Sequence, residues 1–220
     1  MTTASGSDIP PEPPADCALC PRLVAFRREN RHRAPDWFNA PVPSFGDPRA
    51  RLLIVGLAPG LKGANRTGRP FTGDYAGDLL YATLKAFGFA QGLYHGHADD
   101  GLRLVDCMIT NAVRCVPPNN KPTAAEIAAC RPFLLARIES LARLRVILAL
   151  GRIAHDSVIS AFGLRRAAHP FGHGHTHHLG KGLRLFDSYH CSRYNTNTGR
   201  LSRQMFEDIF AAITQHLKDA

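Results

Sequence analysis

The 220-residue chain contains no apolar run long enough to span a bilayer, and its opening stretch, MTTASGSDIPPEPPAD, lacks the basic start and apolar segment of a signal peptide. These absences argue against membrane insertion and secretion, and predict a cytoplasmic protein with no membrane partner. Acidic residues are scarce, 18 Asp and Glu against 27 Lys and Arg, which leaves a formal charge of +9. The excess is mostly arginine, a side chain that pairs bidentately with phosphate and stacks on bases, so the composition favours a polyanionic partner. There is no internal repeat, and no coiled-coil or exposed apolar seam, so a monomer is expected. Neither a Walker loop nor a G-x-G-x-x-G dinucleotide loop is present. The six cysteines should be reduced in a cytoplasmic setting, which makes a disulfide framework a poor explanation for them.

What is present begins after a tail. Residues 1–14 are rich in Pro, Ser and Thr and are expected to be disordered, with residues 15–220 forming one domain. Four apolar runs, RLLIVGLAP (51–59), CMITNAVRC (107–115), VILALG (146–151) and LRLFDSYH (183–190), each precede a helix-like stretch. Those stretches run over about 78–87, 124–144, 153–162 and 202–217, the second opening on a capping box of Thr123 and Glu126. Strands alternating with helices predict an α/β fold, a three-layer α/β/α sandwich around a mostly parallel four-stranded sheet.

In open parallel sheets, ligands bind beyond the carboxyl ends of the strands. The polar, glycine-rich segments follow those ends: GLAPGLKGANRTGRPFTGD, RCVPPNN and SYHCSRYNTNTG. In the first, Gly56, Ala58 and Gly60 allow backbone amides to approach a ligand closely. Phe71 is a candidate stacking platform or core aromatic, and Asp74 a candidate catalytic carboxylate or helix cap. The third combines His190 with Ser192, Arg193 and Asn195, a donor-rich set suited to gripping phosphates and polarising a leaving group. The histidine-rich HPFGHGHTHH (169–178) reads as a solvated loop near nucleic acid.

Cys17 and Cys20 form a C-x-x-C, and Cys115 and Cys130 flank a wide loop and helix start. Four thiolates suit tetrahedral zinc or an iron–sulfur cluster on ligand type. The second half does not repeat C-x-x-C, which favours the larger cofactor. Cys107 lies inside a strand and reads as a core residue.

Together, CALCPRLV, PVPSFGDPRARLLIVGLAPGLKGANRTGRPFTGD, TNAVRCVPPNNKPTAAEIAAC, ALGRIA and SYHCSRYNTNTGRL resemble the iron–sulfur uracil-DNA glycosylases, specifically family 5, or UDGb. The resemblance covers most of the chain beyond the tail. It implies a [4Fe–4S] cluster on Cys17, Cys20, Cys115 and Cys130, held by the N-terminal segment and the loop-helix, with a structural role. It implies a monofunctional glycosylase that flips uracil out of double-stranded DNA and hydrolyses the N-glycosidic bond, leaving an abasic site for base excision repair. Asp74, Asn120 and His190 are the implied catalytic residues, Gly56, Ala58, Gly60, Phe71 and Asn111 the base-binding ones, and Arg66, Ser192, Arg193 and Asn195 the DNA contacts.

Leu57 stands where family 4 has Glu, and Cys191 where neighbouring families often have Pro. The family-5 branch is associated with other deaminated bases, so hypoxanthine and xanthine are expected substrates beside uracil. Two alternatives compete: a non-catalytic DNA-binding protein scaffolded by a cluster or zinc, and a glycosylase that also nicks the strand through a Schiff base on Lys62 or Lys121.

Overall fold

The computed structural model describes residues 10–219, so residues 1–9 of the expected tail lie outside the described residues. In chain order the elements are α1 (Pro21–Arg33), β1 (Phe45–Gly46), β2 (Leu52–Gly56), α2 (Ala64–Thr67), α3 (Tyr75–Ala86), β3 (Ala90–Gln91), β4 (Arg103–Leu104), β5 (Cys107–Asn111), α4 (Ala124–Ser140), β6 (Val146–Leu150), α5 (Arg152–Ala161), β7 (Thr176–Gly180), β8 (Leu183–Ser188), α6 (Arg193–Asn197) and α7 (Arg203–Asp219). Each of the four apolar runs supplies a strand, and the capping box of Thr123 and Glu126 starts α4 with both reciprocal bonds made.

The main sheet has six strands rather than the expected four, in the order β1-β5-β2-β6-β8-β7. The inner four pair in parallel and are the four that apolar content marked. The two extra strands are antiparallel edges. β1 is two residues long, and THHLG in β7 carries one large apolar side chain, so neither announces itself by hydrophobicity. The edge β7 also corrects the solvated-loop reading for the last three residues of the histidine-rich segment, Thr176, His177 and His178, which are strand with alternating exposure.

Alternation sorts the strand side chains to two faces. Leu52, Ile54, Ile109 and Leu148 pack with Leu80 and Leu84 of α3 and Phe206 and Phe210 of α7. Leu53, Val55, Met108 and Ile147 pack on the other side with Leu134 and Ile138 of α4 and Val158 of α5. Each fully buried Leu, Ile or Phe contributes about 1.5–3 kcal/mol of transfer free energy, which is what holds the three layers together. Cys107 is a fully buried core residue.

Residues 10–14 depart from the expected tail. Glu12 forms ion pairs with Arg114 at 2.9 Å and Arg137 at 2.5 Å, and accepts from the Ser44 amide. Arg114 is almost wholly buried, and an unpaired guanidinium there would carry a large desolvation cost. The segment is therefore tied down by charge where composition alone reads as disorder.

Candidate functional site

At the carboxyl ends of the inner strands, a cavity of about 390 Å³ is bordered by three segments distant in sequence. The loop after β2 contributes Leu57, Ala58, Pro59 and Gly60; Phe71, Asp74 and Tyr75 follow; Asn111, Asn120, His190, Ser192 and Arg193 complete the wall. The three expected catalytic residues, Asp74, Asn120 and His190, thus meet in one place. So do Ala58, Gly60, Phe71, Asn111, Ser192 and Arg193.

Register explains part of this convergence. Gly56 and Asn111 are partners at the ends of β2 and β5. A Cβ on Gly56 would stand 2.4 Å from Asn111 Oδ1 and 2.7 Å from Phe71 Cζ, so only glycine lets the amide and the ring close together behind the cavity. Gly56 forms the floor rather than the wall. The Asn111 side chain makes no hydrogen bond among the described residues and borders the cavity, leaving its donor and acceptor uncommitted.

Asp74 caps α3, its Oδ1 accepting from the Gly77 amide at 3.3 Å. Its other oxygen fits only because of glycines: a Cβ on Gly63 would lie 2.4 Å from Oδ2, and one on Gly60 at 3.2 Å. Burial raises the Asp74 carboxyl above its ordinary range, against the lowering effect of the Gly77 and Ala76 amides. The group is a helix cap and a cavity carboxylate at once. α3 begins at Tyr75, three residues before the expected start, because this cap adds the first turn.

His190 stacks on Phe71, and its Nδ1 is shielded without a hydrogen-bond partner. Burial depresses its pKa to about 4, so the ring is neutral at physiological pH. Asn195 steadies this loop by donating from Nδ2 to the His190 carbonyl at 2.8 Å. Arg66 stands outside the cavity wall, its guanidinium over Gly73. Cys191 is buried and its thiol donates to the Ala76 carbonyl at 3.5 Å, joining the His190 loop to the start of α3.

Phe71 has a left-handed backbone, with φ of +53°. Such a conformation costs a bulky residue about 1–2 kcal/mol, and its surroundings must impose it. Arg69 does so from below: it is buried, donates twice to Asp100 at 2.8 and 2.7 Å, donates to Thr72 Oγ1, and lies over the rings of Phe45, Tyr81 and Tyr94. Tyr94 closes the brace by donating to the Phe71 carbonyl at 3.2 Å.

Sequence reasoning missed Tyr75, which borders the cavity under the guanidinium of Arg193, 5.1 Å from its ring centroid. Its place directly after Asp74 was the available signal. Gly63 was missed too; Tyr194 lies 72% exposed on the helix following His190, outside the cavity wall. No lysine lines the cavity among the described residues, so neither Lys62 nor Lys121 is positioned as a Schiff-base nucleophile.

Cys17, Cys20, Cys115 and Cys130 border a second, much smaller cavity of about 20 Å³, beside the start of α1. None of them is in a disulfide. Arg27 Nη1 donates toward Cys115 Sγ at 3.5 Å, and the Arg114 amide toward Cys130 Sγ at 3.4 Å, as second-layer donors to bound thiolates do. Burial pushes the thiols up, to about 12 for Cys115 and about 11 for Cys130, so thiolates here require a strong local cation. Four thiols around one cavity, two of them met by N–H donors, are a donor set of the chemical type that an iron–sulfur cluster takes.

No described helix is long and apolar enough to cross a membrane. Residues 43–214 match the sequence profile of the Uracil DNA glycosylase superfamily. The chain is 51% identical over 199 residues to a type-5 uracil-DNA glycosylase of Thermus thermophilus, covering 88% of this chain and 90% of that one. A type-5 uracil-DNA glycosylase of Mycobacterium bovis is 46% identical over 203 residues, 88% of this chain and 75% of its own. Similarity to a type-4 uracil-DNA glycosylase of Pyrobaculum aerophilum is 38% over 125 residues, 56% of each chain.

Proposed function

The chain belongs to the uracil-DNA glycosylase superfamily and is of its family-5 type, and on that premise we propose that it removes uracil and other deaminated bases from DNA by hydrolysing the N-glycosidic bond. The observation that carries this reading is one cavity in which a buried carboxylate, Asp74, faces a neutral imidazole, His190, beside an aromatic ring and an uncommitted amide.

A base inside a duplex is out of reach, so it must be rotated from the stack, at a cost of a few kcal/mol that is smaller for a mispair. In the cavity it lies against Phe71, and Asn111 pairs with its polar edge. Breaking the bond leaves positive charge on the sugar and negative charge on the base. His190, neutral, carries its proton on Nε2 and donates it as a hydrogen bond to O2 of the departing uracil. Asp74, ionised, offsets the charge on the sugar and orients the attacking water. Asn120 adds an amide from the loop between Cys115 and Cys130. Arg66, Ser192 and Arg193 contact phosphates, and Tyr194 stands ready to fill the space the base vacates.

Leu57 in the wall supplies an apolar surface, and about 390 Å³ has room for a purine base, which favours hypoxanthine and xanthine as further substrates. A [4Fe–4S] cluster would be held by Cys17, Cys20, Cys115 and Cys130 and would supply a structural brace for the DNA-facing loop, without redox chemistry.

The test is a single-turnover assay on a labelled duplex with one G·U pair, with and without alkali. Strand breakage only after alkali, lost in His190→Ala, supports hydrolysis by this site. Absence of abasic product on uracil, hypoxanthine and xanthine would leave DNA binding without catalysis.

A further inference from the structure

The histidines of β7 and the loop before it have no part in the chemistry above, yet two side chains around them are fully buried and polar. We propose that His155, His177 and Asp187 form a binding site for one divalent transition-metal ion of the zinc class, separate from the cysteine site and beneath the loop that carries His190.

The three come from three elements, α5, β7 and β8, and each offers one ligand atom within 4.8 Å of the others, a set without a second example among the described residues. The side chains of His155, His177 and Asp187 are 0%, 10% and 0% exposed. His155 Nδ1 lies 2.8 Å from Asp187 Oδ1, and His177 Nε2 lies 3.4 Å from Asp187 Oδ2. Ligands at zinc bond lengths of about 2.0–2.1 Å in a tetrahedron stand about 3.3 Å apart, so only small shifts separate this arrangement from a coordination shell.

Two details point to a metal rather than to an ion pair alone. His155 Nε2 is 2.8 Å from the His169 carbonyl, the second-layer bond that fixes a ligating imidazole with its other nitrogen turned to the ion. His177 Nε2 is buried with no hydrogen-bond partner among the described residues, a nitrogen aimed at Asp187 and left over by the protein. His155 reaches the Asp187 carboxylate through Nδ1 and the His169 carbonyl through Nε2, so an ion bound between Nδ1 and Oδ1 would replace the first contact and keep the second.

Two imidazoles and one carboxylate suit zinc, cobalt, nickel or ferrous iron, whereas magnesium and calcium demand more oxygen ligands. The rings of His169 and His175 lie 5.7 and 6.3 Å from that of His177, next to the three-ligand set and outside it. The site would pin helix α5 and edge strand β7 to the end of β8, three residues before His190. His173, in the same loop, already accepts from the Tyr189 amide at 3.2 Å.

The experiment is equilibrium dialysis of the full-length, iron-loaded protein against zinc, then metal analysis for zinc and iron, a thermal melt, and zinc-edge X-ray absorption. The expected result is one zinc per chain with iron unchanged, a shell of nitrogen and oxygen only, and a higher melting midpoint. His177→Gln should lose the zinc and the shift, and His178→Gln should keep both. No stoichiometric zinc, zinc retained by His177→Gln, or sulfur in the shell would overturn the proposal. If His177→Gln fails to fold, the absorption shell of the unaltered protein decides between the cysteine and histidine sites.

Discussion

The imidazole of His190 lies over the ring of Phe71, with centroids 5.8 Å apart and planes inclined by 26°. One ring arrives from the end of β8 and the other from a strained turn before α3, so the contact couples the two halves of the cavity. It also removes water from one side of the imidazole, in keeping with a pKa near 4.

That depression has a direction. Unfolded chain binds a proton at His190 below about pH 6.5 and folded chain does not until about pH 4, so this group's stability contribution is whole above 6.5 and falls as pH drops toward 4. NMR titration of the imidazole should give a midpoint near 4. His190→Ala should slow base release by about 10²–10³-fold, with duplex affinity little changed.

Asp74 shifts the opposite way. Its raised pKa predicts an acid limb in the single-turnover pH–rate profile above the ordinary carboxylate range, since the ionised form acts. Asp74→Asn should abolish that limb and most of the rate; an unchanged limb would move the titration to another group.

Gly63→Ala should inactivate without unfolding. The added methyl would lie 2.4 Å from Asp74 Oδ2 and must displace the carboxylate, whereas Gly163→Ala meets nothing within 4 Å and should cost only about 1 kcal/mol for its positive φ. Thermal midpoints and rates of the two variants separate the effects.

Breaking the buried pair of Arg69 and Asp100, whose side chains are 3% and 1% exposed, should be costly. Asp100→Ala leaves a guanidinium unpaired and should lose about 3–5 kcal/mol by denaturant titration. Arg69 holds the Asp100 carboxyl well below its usual range, so this pair's contribution persists above pH 4 and is lost only in strong acid.

Arg193→Ala should weaken duplex binding on all sequences alike and reduce the slope of log affinity against log salt by about 1. A slope equal to that of the unaltered protein would show that Arg193 serves the cavity, through Tyr75, and not a phosphate.

Composition and period were enough for the inner sheet and the helices that cover it, because a strand buried on both faces is a continuous apolar run, as in VILAL of β6. The same reasoning could not find β1 or β7: edge strands are held by backbone pairing and one buried face, which two residues or THHLG do not display. The resemblance carried by the long motifs named Asp74, Asn120 and His190, and the fold brings all three to one cavity because loops after parallel strands converge there. Only the folded chain decided that Glu12 is pinned by Arg114, that Tyr75 shares the cavity, and that His155, His177 and Asp187 meet. Glu12 and Arg114 are 102 positions apart, and a charge or lone pair acquires its partner only when packing removes water from both.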